Sequence, residues 1–118
     1  MAFDRRRQDN KQPYEEWPIE VSFGHSGGSF NLPPGSKEIV SSTASAVKWQ
    51  RRDPDNKSDA TLEILQSSIP VIINPGKTKL VVLVKGGIHD YDYQITIRVV
   101  FDNGAKLEEE LLIRVRED

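Results

Sequence analysis

From Trp17 onward apolar and polar residues alternate, with Trp17, Ile19, Val21 and Phe23 separated by Pro18, Glu20 and Ser22. Successive side chains of a strand point to opposite faces, so this spacing predicts a half-buried strand. Pro18 cannot donate to a ladder, which puts that strand at a sheet edge. The clearest pattern lies in the last third of the chain. Tyr91, Tyr93, Ile95, Ile97, Val99 and Phe101 alternate with Asp92, Gln94, Thr96, Arg98 and Val100. After Asp102-Asn103-Gly104, the residues Leu107, Leu111, Ile113 and Val115 continue at even spacing. Two alternating runs about an Asn-Gly turn predict a β-hairpin. Glu109 shares the apolar parity and is expected near the turn, where water reaches it. Lys106, Glu108, Glu110, Arg114 and Arg116 share the opposite face with Arg98, where cross-strand charge pairs are expected.

Glu38 to Gln50 is rich in Ser, Thr, Val and Ala, with Val47 and Trp49 on one parity, and predicts a long strand that bends or bulges near its middle. A helix is the competing reading, against which the β-branched Ile39, Val40, Thr43 and Val47 weigh. Arg51 to Asp59 reads as a charged turn. Leu62 with Ile64, then Ile69, Val71 and Ile73, give two short strands around Ser67-Ser68. In the turn at Asn74-Pro75-Gly76, proline presets one φ and glycine accepts a positive one. Leu80, Val82 and Val84 then alternate toward one face before Gly86-Gly87. Gly24 to Ser36, with four glycines and Pro33-Pro34, is a long loop. Residues 1–16 hold a basic triplet and little that is apolar, and read as a flexible N-terminal arm ahead of one domain over 17–118. About seven strands, no convincing helix and regularly spaced turns predict an all-β fold, an immunoglobulin-like β-sandwich of antiparallel strands.

Composition narrows the function. At 118 residues there is room for one domain. Sixteen basic against eighteen acidic residues give a net charge of -2, without the basic footprint that nucleic acid or an anionic membrane selects, so neither is an expected partner. The absence of cysteine rules out a disulfide framework, a thiolate metal site and a cysteine nucleophile. The densest apolar run, Leu80 to Val84, is five residues long and reads as a buried strand, far short of a membrane span. Arg5-Arg6-Arg7 is followed by polar residues through Glu16, which does not fit a signal peptide, so synthesis in a cytoplasm is expected.

Candidate chemistry is sparse. Asp53, Asp55 and Asp59 are spaced somewhat like a calcium loop, but lysine stands at the fifth position, Ser58 at the sixth and Ile64 at the twelfth, where a bidentate glutamate is needed. His89-Asp90-Tyr91-Asp92 would put its two carboxylates on one strand face and the imidazole on the other, the look of a solvated strand start. Gly24-His25-Ser26-Gly27-Gly28 has neither the strand-to-helix elbow of a serine nucleophile nor the Gly-Lys-Ser/Thr of a phosphate loop. With no complete constellation, no catalytic, metal or cofactor-binding residue is assigned and no enzyme is expected. Arg5-Arg6-Arg7 and Arg51-Arg52 each lie beside acids and read as solvated charge over a phosphate-binding patch. Trp17 and Trp49 read as core residues, and strand parity points Tyr91 and Tyr93 inward.

Several of these segments occur in an order that resembles short structural proteins of tailed bacteriophages and prophages, the fibre-tail adaptors of the virion. They are Ile39-Val40-Ser41-Ser42 before Trp49, Val82-Leu83-Val84-Lys85-Gly86-Gly87, Tyr93-Gln94-Ile95-Thr96, the turn at Asp102-Asn103-Gly104, and Leu111-Leu112-Ile113-Arg114-Val115-Arg116-Glu117. Where such proteins open with a short Lys-Asp-Pro segment, this chain has Gln8 to Glu16 and the glycine-rich loop, so no contact of the N-terminal third carries over. The resemblance implies a non-enzymatic module made in a bacterial cytoplasm and built into a virion tail. It would dock onto other tail or fibre proteins or onto copies of itself. A carbohydrate-binding or cell-surface module on the same fold is the alternative, and would need exposed Trp17, Trp49, Tyr91 or Tyr93 beside polar groups.

Overall fold

The computed structural model describes residues 7–24, 30–31, 35–72 and 75–116. Among the described residues nine strands and one short helix follow in the order β1 (Arg7–Lys11), β2 (Trp17–Gly24), β3 (Phe30–Asn31), β4 (Ile39–Gln50), β5 (Asp53–Asp59), α1 (Thr61–Ile64), β6 (Val71–Ile72), β7 (Lys79–Val84), β8 (Tyr91–Phe101) and β9 (Lys106–Val115). They form a five-stranded sheet in the order β1-β9-β8-β4-β5 and a four-stranded sheet in the order β3-β2-β7-β6. The fold is all-β and sandwich-like. Its two sheets share one core, in which Ile19, Val21, Leu80 and Val82 of the smaller sheet meet Ala44, Ala46, Ile95, Ile97, Val99 and Leu111 of the larger. Phe23 and Phe101 join them edge to face at 5.5 Å, a geometry that brings a ring's positive edge to its neighbour's negative face.

The hairpin follows the predicted alternation. Along β8 and β9 Tyr93, Ile95, Ile97, Val99, Phe101, Leu111, Ile113 and Val115 are buried. The turn between them closes with Gly104 donating to the Phe101 carbonyl at 2.9 Å and with Gly104 itself at φ +85°, a value that costs glycine nothing. Asp102 has a second task, since its Oδ1 accepts from the backbone N–H of Lys37 at 2.9 Å and fixes the entry to β4. On the outer face Arg98 pairs with Glu108 at 2.8 Å, as the register expects. Glu109 departs from expectation. It lies opposite Ile97 and is only 1% exposed, because the parity that aims it inward continues unbroken into the core.

Other expectations are corrected. Arg7–Lys11, assigned to the arm, is an edge strand that runs parallel to β9, Arg7 beside Leu111 and Lys11 beside Val115. With the parallel β2–β3 pair, it means that the sheets are not purely antiparallel and that nine strands fall among the described residues where about seven were expected. β4 is a strand, yet its register shifts fall near its ends, between Ile39 and Ser41 and between Lys48 and Gln50. The charged stretch after it is a turn only at Arg51-Arg52, beyond which the fully exposed β5 pairs with β4. Leu62 and Ile64 belong to one helical turn, closed by Leu65 N–H to the Thr61 carbonyl at 3.0 Å. Helical geometry sends Ala60 and Ile64 into the core while Leu62 stays exposed, whereas a strand would have put Leu62 and Ile64 on one face.

In the turn before β7 the positive φ belongs to Lys77, at 53°, and not to Gly76. Pro18 sits where an edge allows it. Among the described residues the ladder on the far side of β2 reaches only Phe23 and Gly24, so none of them calls for a proline N–H. Asn74, Ile73, Phe3, and residues 25–29 and 32–34 of the glycine-rich loop lie outside the described residues. No helix among the described residues is long and apolar enough to cross a membrane.

Candidate functional site

The four-stranded sheet turns one face to the core and leaves the other uncovered by any described element. Inward residues alternate along β7 as Leu80, Val82 and Val84. Lys79, Val81 and Leu83 point out. Register carries this outer face across the sheet, since Leu83 stands beside Pro18, and Val81 stands between Glu20 on one side and Val71 on the other. Val71 is 58% exposed, Leu83 42%, and Ile69, two residues before Val71, 65%. Contiguous exposed apolar positions on one sheet face mark an interaction surface more than scattered single ones do. An ion pair of Lys79 with Glu20 at 3.9 Å borders the patch and supplies its polar rim.

Two strand edges, one on each sheet, are poor partners for a further strand. β5 carries Pro54, Lys57 and three aspartates on a fully exposed edge, the means by which sheets discourage edge-to-edge pairing. β6 is two residues long and follows Pro70.

A second feature closes one end of the sandwich. Glu63 of α1 accepts from Lys48 Nζ at 2.7 Å through Oε1 and from the Tyr93 hydroxyl at 2.5 Å through Oε2. The same hydroxyl accepts from the backbone N–H of Ile88 at 2.9 Å. Burial alone pushes the Glu63 carboxyl up, but its hydrogen bonds from Lys48 and Tyr93 and the Lys48 charge outweigh that and hold it below its ordinary value. Burial first, and the adjoining Glu63 second, push the Tyr93 phenol far above its usual range. With each polar atom engaged within the fold, the cluster clamps α1 to β4 and β8.

The residues singled out in the sequence come together only in part. Asp53, Asp55 and Asp59 lie along the edge strand β5, which does not wrap around a cation. Among the described residues no group of three or more His, Asp or Glu side chains is placed to hold a metal ion. His89 is exposed, and Asp90 sits in a turn at φ 72°. Asp92 was expected at a solvated strand start but is 7% exposed, because Arg116 Nη2 reaches its Oδ1 at 2.9 Å. His25, Ser26, Gly27, Gly28, Arg5 and Arg6 lie outside the described residues.

Both tryptophans are only half-buried. Trp17 packs against the core margin. Trp49 lies on the outer face, because β4 turns Ala44 and Ala46 inward. An ammonium lies over three of the four rings named for a sugar platform: Lys11 lies 5.8 Å from the Trp17 centroid, Lys57 5.2 Å from Trp49 and Lys48 5.4 Å from Tyr91. Tyr93 is fully buried. The apolar face was not anticipated, although the uninterrupted run Leu80-Val81-Val82-Leu83-Val84 carries its signal: a strand with water on one face alternates, and this one is apolar on both. No protein-family model matches the chain, and no curated protein matches it.

Proposed function

We propose that this chain is a non-enzymatic docking module of a phage or prophage particle, an immunoglobulin-like domain that joins tail or fibre components through the outer face of its four-stranded sheet. The observation that carries the reading is the contiguous apolar patch of Ile69, Val71, Val81, Leu83 and Pro18. Strand order supports the fold assignment. The sheet β9-β8-β4-β5 facing β2-β7-β6 corresponds to strands G-F-C-C′ facing B-E-D of an immunoglobulin-like domain. The carbohydrate-binding alternative draws no support from Trp17, Trp49, Tyr91 and Tyr93, since a lysine ammonium lies over each of the first three and the fourth is buried.

The test uses purified particles of the phage that encodes the chain. Quantitative mass spectrometry is expected to find it at a fixed copy number per particle, and its absence would sink the virion role. A Val71→Lys, Leu83→Lys double variant keeps its fold by circular dichroism because both side chains already face water, and it is expected to be missing from particles. Normal incorporation of that variant would move the docking surface elsewhere.

A further inference from the structure

The outer face of the five-stranded sheet gathers three arginines at the end where β4 turns into β5. Register aligns Asn10, Arg114, Asp92 and Trp49 in one cross-strand row. Arg116 lies one step beyond, its N–H bonded to the Lys11 carbonyl at 2.8 Å, and Arg51 joins from the turn with its N–H on the Asp90 carbonyl at 2.9 Å. Together with Gln12 and Glu15 of the β1–β2 connection, Arg51, Arg114 and Arg116 line one open cleft.

The three guanidinium groups are not equally occupied. Arg116 donates to the Val115 carbonyl at 2.6 Å, to the Tyr91 carbonyl at 3.4 Å and to Asp92 at 2.9 Å. Arg114 approaches Asp92 only at 4.0 Å, and its buried Nε makes no hydrogen bond. Among the described residues, the side chain of Arg51 donates to no acceptor. Lys11 also lines the cleft, but its ammonium is directed at the carbonyls of Gln12, Pro13 and Gly86. Among the described residues, four cations, Lys11, Arg51, Arg114 and Arg116, and one carboxylate, Glu15, line the cleft itself; Asp92, Asp90 and the Glu16 charge that acts on Lys11 lie around it and balance the rest, so selection rests on the guanidinium donors and not on net charge. Arginine presents paired donors in a plane, the arrangement that a carboxylate or phosphate oxygen pair fits.

We propose that this cleft binds an oxyanion, a phosphate or carboxylate group held by Arg51 and Arg114, with Arg116 fixed as the floor by Asp92. The group is supplied by a free anion or by an acidic side chain of a docked protein. The proposal stands apart from the docking face, which lies on the other sheet.

The experiment is an NMR titration of the full chain at constant ionic strength, with inorganic phosphate in one arm and an acetylated tetraglutamate peptide in the other. Saturable shifts are expected at the amides of Gln12, Arg51 and Arg116. An Arg51→Gln, Arg114→Gln double variant should bind at least about tenfold more weakly, since each lost charge-assisted bond is of that order. Arg98→Gln, at the far end of the same face, should bind as the unaltered chain does. Tighter binding of phosphate identifies a free anion as the source, and tighter binding of the peptide identifies a partner's carboxylate. Shifts that fail to saturate in both arms, or affinities that the double variant leaves unchanged, would overturn the site. Should Arg114→Gln disturb the fold through Asp92, Arg51→Gln alone decides, because Arg51 is exposed; affinity unaltered by it would overturn the assignment.

Discussion

The Lys11 ammonium donates to the carbonyl oxygen of Gly86, 75 residues further along the chain, at 2.5 Å. Two more carbonyls, of Gln12 at 2.9 Å and Pro13 at 3.4 Å, complete its surroundings, and the side chain is 2% exposed. A buried cation is tolerated when dipoles replace its water, and here they tie the first strand to the β7–β8 connection.

Lys11→Ala is therefore expected to cost about 2 kcal/mol, from the lost charge-assisted bonds and the stem's packing. Lys106→Ala, an exposed lysine on β9, should stay within about 0.5 kcal/mol. Urea denaturation of the two variants and the parent gives the comparison, and equal midpoints would show that the cage contributes nothing.

Tyr93→Phe keeps the ring in the core but strands Glu63 Oε2 and the Ile88 N–H. Leaving such groups without a partner costs about 1–3 kcal/mol. A loss well below that range, read from denaturation midpoints, would mean that water replaces the hydroxyl.

The same cluster sets a dependence on pH at both ends of the scale. Glu63 is held below its ordinary 4.5, so the unfolded chain takes up its proton first as pH falls, and stability is lost as pH drops below 4.5 through the depressed value. Tyr93 is held above its ordinary 10.0, so the unfolded chain releases its proton first, and stability is lost as pH rises above 10.0. Denaturation of the parent and of Glu63→Gln at pH 7 and pH 3 is expected to show a stability gap that narrows in acid. A gap of constant size would separate the carboxylate from the acid limb. Tyr93→Phe should likewise flatten the alkaline limb.

Two glycines separate the cost of backbone conformation from that of space. Gly104 has φ +85° and nothing within 4 Å of where a Cβ would stand. Gly104→Ala is expected to cost about 1–2 kcal/mol, for the left-handed backbone alone. Gly87 has φ +100°, and a Cβ there would come within 2.7 Å of Val115 Cγ2, so Gly87→Ala must also displace a buried strand residue and should cost clearly more. Matching losses in thermal or urea unfolding would mean that β9 shifts freely.

What the sequence made legible is what local patterning encodes. The β8–β9 hairpin alternates strictly about Asp102-Asn103-Gly104, so its face, turn and outer ion pairs could be read directly. β4 could be read as a strand, but not by face. Its large residues Val47 and Trp49 suggest the inward side, yet the core takes Ala44 and Ala46, with Ile64 and Leu65 of the following segment buried in the same cluster. β1 carries no alternation to read, as Arg-Gln-Asp-Asn-Lys joins an edge through its backbone. The acceptors of Lys11 include Gly86, a pairing that no local spacing announces. The arginine cleft is hidden from local spacing for the same reason: in the sequence Arg51 stands beside Asp53 and Asp55, while the fold brings it to one cleft with Lys11, Arg114 and Arg116.

The parallel pairing of β1 with β9 also orders the folding reaction in time. Arg7 stands beside Leu111, so almost the whole described chain is enclosed by that one contact. Closing so long a loop is paid in chain entropy before any ladder bond rewards it. The hairpin can form from near neighbours, and β1 has no surface to lie on until β9 is in place. Its amides, Lys11 among them, are thus expected to be the last to gain protection from hydrogen exchange during refolding and the first to lose it during local opening.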